Sequence, residues 1–283
     1  MPRRRLADHV LIGALALLML AALATALFWP DFFSRHFTTE DAFVENLTAI
    51  GLALGGAALF SIAVARRRAL GTRAAILPLL YAALFVWAAG EEVSWGQRIL
   101  DYETGPFMEV YNDQDEVNLH NLVVGGVKLD EVLFGPVMSA LILSWLLFLP
   151  FLWRAFPAIR RLAARMAAPV PGRHHALAAL MASLVIVMID ASRKWEVYEA
   201  AFALLSLAIF LRPANDAELR PSGTGGGSTG SPARVMSASN STASRMLSKG
   251  RAGQRTGPDR PGAAGRAPAP EPSQSDSHQA PSA

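Results

Sequence analysis

The apolar residues of this chain come in long blocks, not in the one-faced or alternating patterns of a water-soluble fold. Residues 10–29, 42–65, 74–100, 132–153, 176–190 and 197–211 are runs dominated by Leu, Ala, Val, Ile and Phe. An α-helix needs about 20 such residues to cross a ~30 Å hydrocarbon layer. The pattern predicts an all-α integral membrane bundle of six transmembrane helices within residues 1–212. Neither Gly nor Pro occurs between Gly172 and Pro213. An unbroken helix over that stretch would reach about 55 Å, too long for one crossing, so a hairpin near Ser192 is expected. In the second run, Gly51 and Gly55 have the small-xxx-small spacing of close helix packing. Residues 159–167 (IRRLAARMA) read as a plain basic loop, the other reading being a short amphipathic helix on the membrane surface. From Pro213 the chain turns to Ser, Gly, Pro and Ala, which cannot bury a core. Residues 213–283 are therefore expected to be a disordered tail.

Composition agrees. The chain is 52% hydrophobic and 17% charged, with a mean hydropathy of +0.29, whereas soluble domains carry roughly a quarter charged residues. The net charge is +3, but residues 1–212 hold 18 basic and 18 acidic side chains, so the excess lies in the tail. The basic pI therefore carries no argument for nucleic acid, and none is expected as a partner. The absence of cysteine excludes disulfides and thiolate metal sites.

The basic residues sort by loop. Thirteen (Arg3–5, Arg66–68, Arg73, Arg154, Arg160, Arg161, Arg165, Arg173 and Arg212) fall on one side, and five (Arg35, Arg98, Lys128, Arg193 and Lys194) on the other. The positive-inside rule then places both termini in the cytoplasm. The first run follows Arg3, Arg4 and Arg5, and Ala24-Thr25-Ala26 has the form of a signal cleavage site. The run is long enough to cross, so a retained helix is expected.

The acids concentrate on the opposite side. Ten of the 18 acids in residues 1–212 lie between Glu91 and Glu131, in and beside an outer loop at residues 101–131. Depth adds to this. Residues 74–90 are 17 apolar positions, 176–189 are 14 and 200–211 are 12, covering about 25, 21 and 18 Å of helix. Glu91, Glu92, Asp190 and Glu199 then lie at or beneath the outer boundary, with Glu45 one turn inside the second run. Carboxylates at that depth should turn into the bundle and find partners.

Three strings carry these residues. In GEEVSWGQRI, a continuing helix would put Glu91, Trp95 and Arg98 on one face, with Glu92 and Gln97 elsewhere. Trp95 also fits an interfacial anchor. In YNDQDEVNLHNL, Asn112, Glu116 and His120 share a stripe on a helix, or a face with Gln114 and Asn118 on a strand; Asn121 follows. Either geometry brings Glu116 to His120, a pair able to ligate a metal or act as an oriented acid/base group. In DASRKWEVYEA, Glu196 and Glu199 share a helical face, and Asp190 and Lys194 would pair if helical. His174 and His175 fall on the inner side, away from this group.

The strings E-E-x-S-W-G-Q-R (from Glu91) and N-x-Q-x-E-x-N-L-H-N (from Asn112), with Glu40-Asp41…Glu45 and Lys194…Glu196…Glu199, resemble a family of uncharacterised bacterial polytopic membrane proteins. The resemblance spans roughly residues 38–200 and implies a bacterial inner-membrane location and a shared outer-side site, but no activity. The several histidines of ceramidase-like membrane hydrolases are missing. The Glu-x-x-His pairs of ferritin-like di-metal sites are missing too, since here the spacing is Glu-x-x-x-His and occurs once.

Three functions fit. One is a membrane enzyme acting on a lipid or lipid-linked substrate. Glu91, Glu92, Gln97, Arg98, Glu116 and His120 would form its catalytic set, and Glu92, Glu116, His120, Glu196 and Glu199 would ligate a divalent metal ion. Glu45, Trp95, Asn112, Gln114, Asn118, Asn121, Asp190 and Lys194 would support that site. The second is a non-catalytic assembly or lipid-binding protein held by a hydrogen-bond network. The third, cation transport, is weakened by the near absence of ionisable residues along the inner half of the runs.

Overall fold

A computed structural model describes residues 2–39 and 42–221. Glu40, Asp41 and the expected disordered stretch 222–283 lie outside the described residues. Helix follows helix: α1 (Pro2–Phe28), α2 (Phe43–Leu70), α3 (Ile76–Glu92), a short α4 (Pro106–Tyr111), a two-stranded ribbon of β1 (Val123–Val124) and β2 (Val127–Lys128), and α5 (Asp130–Ala155). Then come α6 (Pro157–Met166), α7 (Arg173–Met188) and α8 (Lys194–Leu211). The described residues are all-α apart from the ribbon, where Val123 pairs with Lys128 and Val124 with Val127.

Among the described residues, four helical stretches are long and apolar enough to cross a membrane: Pro2–Phe28, Phe43–Leu70, Thr72–Glu92 and Asp130–Ala155. α7, with 16 residues, is shorter. α8 has 18 residues, but its first turns carry Lys194, Glu196 and Glu199. The break between Met188 and Lys194 is the expected hairpin. It needs no Gly or Pro because Lys194 Nζ covers the Ile189 carbonyl at 2.9 Å and Arg193 reaches the Thr38 carbonyl at 3.0 Å.

α8 is the hub. Its residues from Val197 to Phe210 are buried on nearly every face, Glu199 excepted, as a helix apolar all round requires. It packs against α1, α2 and α7, while α2 also packs along α3. α1 contributes Leu15, Leu18, Met19 and Ala22, and α7 contributes Ala179, Ala182 and Ile186, each set at one-face spacing. Gly51 makes the α2–α8 contact possible: a Cβ there would lie 2.9 Å from Ala203 Cβ. Gly55 faces Phe85 and Phe210, whose rings meet edge-on with centroids 4.8 Å apart. Small residues let helices approach closely where lipid removes the hydrophobic drive to associate.

Several boundaries differ from those read in the sequence. The third helix does not run through residues 74–100: it stops at Glu92, and Ser94, Trp95 and Gly96 take left-handed backbone (φ 45°, 55° and 80°). α5 contains wider-wound turns at Asp130–Val137 and Ser144–Phe148. The second leads to Pro150, which has no N–H to give an α-helical ladder. Residues 157–166 form a helix, not a plain loop, started by Pro157 at its first position. The tail does not begin at Pro213. Asn215 accepts the Val170 N–H at 2.9 Å and donates to the Ala168 carbonyl at 3.0 Å, Arg66 reaches the Glu218 carbonyl at 2.7 Å, and Asp216–Leu219 make a helical turn.

Gly51→Leu should lower stability by about 1–3 kcal/mol through overpacking, read by thermal unfolding of the detergent-purified protein. At Gly13 a Cβ meets nothing within 4 Å, and Gly13→Leu should stay within about 0.5 kcal/mol. Equal shifts for the two would remove the packing role assigned to Gly51.

Candidate functional site

The end of the bundle where α3 stops is organised around Glu91, which is buried. One carboxylate oxygen accepts the Trp95 indole N–H at 2.9 Å and the other the Leu119 backbone N–H at 2.5 Å. His120 Nδ1 lies 3.8 Å from the latter, an ion-pair distance rather than a close hydrogen bond. These contacts explain why α3 ends: the chain folds Trp95 back over Gly90, where any Cβ would meet the indole ring at 2.9 Å. Glu91, Trp95 and Arg98 therefore do not share a helical face. Trp95 reaches Glu91 across a tight turn.

Residues 112–122 form neither helix nor strand, because Asn112 folds them into a loop. Its Oδ1 accepts the N–H groups of Gln114 (2.9 Å) and Glu116 (3.2 Å), and its Nδ2 donates to the carbonyl and side-chain oxygens of Asn118, both at 2.9 Å. A backbone bridge from Asn112 to Leu122 closes the loop. Glu116 and His120 consequently part company. Glu116 accepts from Ser94 Oγ (2.6 Å) and Asn118 Nδ2 (2.7 Å) and pairs with Arg98 (3.2 Å), while His120 turns to Glu91. Arg98 also holds Glu45 at 3.1 Å, tying the start of α2 to the loop. Gln97 staples the same loop, donating to Thr104 (2.8 Å) and accepting the Val117 N–H (2.7 Å). Asn121 donates to Gln114 at 2.6 Å, on the exposed rim.

The remaining acids behave differently. Glu92 lies within electrostatic reach of His120, Glu196, Glu45 and Glu91, and Glu199 within reach of Glu92, Glu196, Asp130 and Glu45. Neither Glu92 nor Glu199 accepts a hydrogen bond among the described residues. Glu92, Glu196 and His120 are half-buried and Glu199 is open, although acids from α2, α3 and α5 face it. The group is therefore partly accessible, not sealed in the core. Asp190 departs from expectation: it is exposed in the turn after α7, which starts at Arg173, before the apolar run, and Lys194 bonds the Ile189 carbonyl.

Burial alone would lower the His120 pKa. The Glu91 carboxylate beside it and the charges of Glu92 and Glu116 outweigh burial and hold it above its ordinary value. A group raised in the folded state stabilises fully below its unfolded pKa and loses that contribution as pH rises through the folded one. As pH rises through and above the ordinary imidazole range, hydrogen exchange at the Leu119 amide, corrected for its intrinsic rate, should accelerate as His120 loses its proton. His120→Gln should abolish this dependence, and an unchanged profile in that variant would assign it elsewhere.

The opposite end holds a constellation that sequence reasoning passed over. Asp8 has 0% exposure. Its carboxylate meets His175 Nε2 at 2.7 Å, His174 Nε2 at 3.0 Å and Arg212 at 2.7 Å, joining the starts of α1 and α7 to the end of α8. The available signals were an acid leading into the first apolar run and a His pair opening a helix. Among the described residues, only Asp8, His174 and His175 are grouped with ligand atoms within 4.8 Å of one another, close enough for one metal ion; the acids of the other end are not. The proton inventory favours a clamp in this arrangement. His175 Nδ1 accepts the Gly172 N–H at 3.0 Å, so the neutral ring carries its proton on Nε2, facing Asp8. A metal-binding imidazole has the reverse pattern, donating from its second nitrogen. Gly172 has no room for a Cβ, which would lie 2.8 Å from the His174 ring.

Asp8→Asn should destabilise the detergent-purified protein by roughly 1–3 kcal/mol, the cost of unpaired buried donors, without changing its metal content. Loss of a stoichiometric ion in that variant would convert the clamp into a metal site. No protein-family model, curated protein or solved structure matches this chain, so the chemistry of both ends rests on the residues themselves.

Proposed function

We propose that this chain is a six-span protein of the bacterial inner membrane, with α1, α2, α3, α5, α7 and α8 crossing and both termini in the cytoplasm. Its outer end is a membrane-embedded enzyme site acting on a lipid or lipid-linked substrate. The sorting of thirteen basic residues against five supports the orientation. One observation carries the site: Glu91 and Glu92 at the end of α3 and Glu116 of the loop converge on His120, with Glu196 and Glu199 of α8 near Glu92, and these carboxylates divide into two kinds. Glu91 and Glu116 take several donors and hold the loop, while Glu92 and Glu199 accept none among the described residues and are not sealed from solvent.

The roles follow from that division. His120, oriented by Glu91, is the acid/base group. Glu92, Glu196 and Glu199 supply the negative surface for a divalent cation or a cationic part of the substrate, since crowded carboxylates require a counter-charge or a shared proton. Arg98, Gln97, Ser94, Asn112 and Asn118 hold the frame, and Glu116 belongs with them rather than with the ligands.

A second reading, a non-catalytic assembly or lipid-binding protein, draws on the completeness of the Asn112–Asn118–Ser94–Glu116 network. Elemental analysis of the purified protein and of Glu92→Gln/Glu199→Gln separates the two. The enzyme reading expects a stoichiometric divalent cation that the double variant loses while its unfolding temperature is unchanged. Absence of metal in both, with identical lipid composition in cells lacking the protein, would leave the structural reading.

A further inference from the structure

Between α2 and α3 runs an apolar groove of about 510 Å³. Its floor is made of small residues, Ala53, Gly56 and Ala57 on α2 with Ala82 and Ala83 on α3, and its sides include Phe60, Leu79 and Val86. The floor is low because Gly56 lets the helices touch: a Cβ there would lie 2.8 Å from Val86 Cγ2. The groove ends against Trp87 and Trp95. Trp95 is therefore a shared wall. Its ring lines the groove, and its indole N–H bonds Glu91 in the polar cluster.

We infer that this groove holds one hydrocarbon chain of an amphiphile whose head group lies at Glu92, Glu199 and His120. The inference rests on the lipid-substrate reading above and names the shape of that substrate. Three arguments select the occupant. First, both walls are helices long and apolar enough to cross a membrane, so the groove opens onto the hydrocarbon layer. Second, the size fits. The lining runs from Leu79 to Trp87 on α3, about 12 Å of helix, close to one leaflet of a ~30 Å hydrocarbon layer. Spread over that length, the volume gives a cross-section of about 40 Å². This admits a methylene chain and is about half of the ~80 Å² of an α-helix about 10 Å wide. A helix of a second copy does not fit. Third, the ends are complementary to an amphiphile: an apolar groove at one side of Trp95, and at the other the acidic end, where Glu92 and Glu199 accept no hydrogen bond among the described residues. Those carboxylates favour a head group that is positively charged or rich in donors.

The test uses the full chain in phosphatidylglycerol nanodiscs doped with phosphatidylcholine carrying a diazirine midway along one chain. After irradiation, labelled peptides are mapped by mass spectrometry. The expected result is labelling concentrated on the Ala53–Ala57 and Ala82–Val86 segments. Ala57→Phe and Ala83→Phe, both at exposed groove positions, should reduce it about tenfold. Leu84→Phe, on α3 but not lining the groove, should leave it unchanged. The filled variants should unfold at the same temperature as the parent, so that loss of labelling reports occupancy. Labelling spread evenly over the apolar belt and indifferent to Ala57→Phe and Ala83→Phe would overturn the proposal. So would disulfide cross-linking between two copies of the Ala57→Cys variant. Groove-specific labelling that survives Glu92→Gln/Glu199→Gln would uphold the groove while removing the head-group role of the carboxylates, so the two readings fail separately.

Discussion

A carboxylate that must be satisfied at the end of an apolar helix governs this structure. Glu91 is buried, and an unpaired charge there would be costly. Its partners come from three places: the indole N–H of Trp95, the backbone N–H of Leu119 and, at ion-pair distance, the ring of His120. Meeting that demand stops α3, bends the chain through three left-handed residues and draws the acidic loop down onto the bundle. The same contacts fix Trp95 as the boundary between an apolar groove and a polar side-chain cluster. Backbone strain at Ser94 and Trp95 is sustained because Ser94 also takes part in the Glu116–Asn118 network.

The two ends of the bundle handle charge in opposite ways. Asp8 is surrounded by Arg212, His174 and His175 and is fully enclosed. Such a clamp joins three helix ends. At the acidic end Glu91, Glu116 and Glu45 take donors, whereas Glu92 and Glu199 accept none among the described residues. Glu199 lies in the field of Glu92, and neither is sealed from solvent. Neighbouring carboxylates without donors favour a shared proton or a bound counter-charge. That asymmetry, rather than the number of acids, is why the active chemistry is assigned to this end.

Much was legible in the chain itself. The apolar blocks announced the helices, since blocks of that length have few other uses. The hairpin near Ser192 followed from length alone, because one helix could not span the run. Gly51 and Gly55 announced packing, and they meet Ala203, Phe85 and Phe210. The acids at the ends of different runs announced convergence, and Glu45, Glu91, Glu92, Glu116, Glu196, Glu199 and His120 do lie at one end of the fold.

What the chain could not disclose was partnership. Spacing suggested Glu116 with His120 and Asp190 with Lys194. The loop instead pairs Glu116 with Ser94, Asn118 and Arg98, and Lys194 bonds a carbonyl. Asp8, His174, His175 and Arg212 are separated by up to 204 positions, and no local pattern links them. Hydropathy and helix periodicity act over a few turns, so sequence alone determined the elements and the end at which each charge resides. Which donor reaches which acid depends on helix ends meeting in space, and only the tertiary structure decided that.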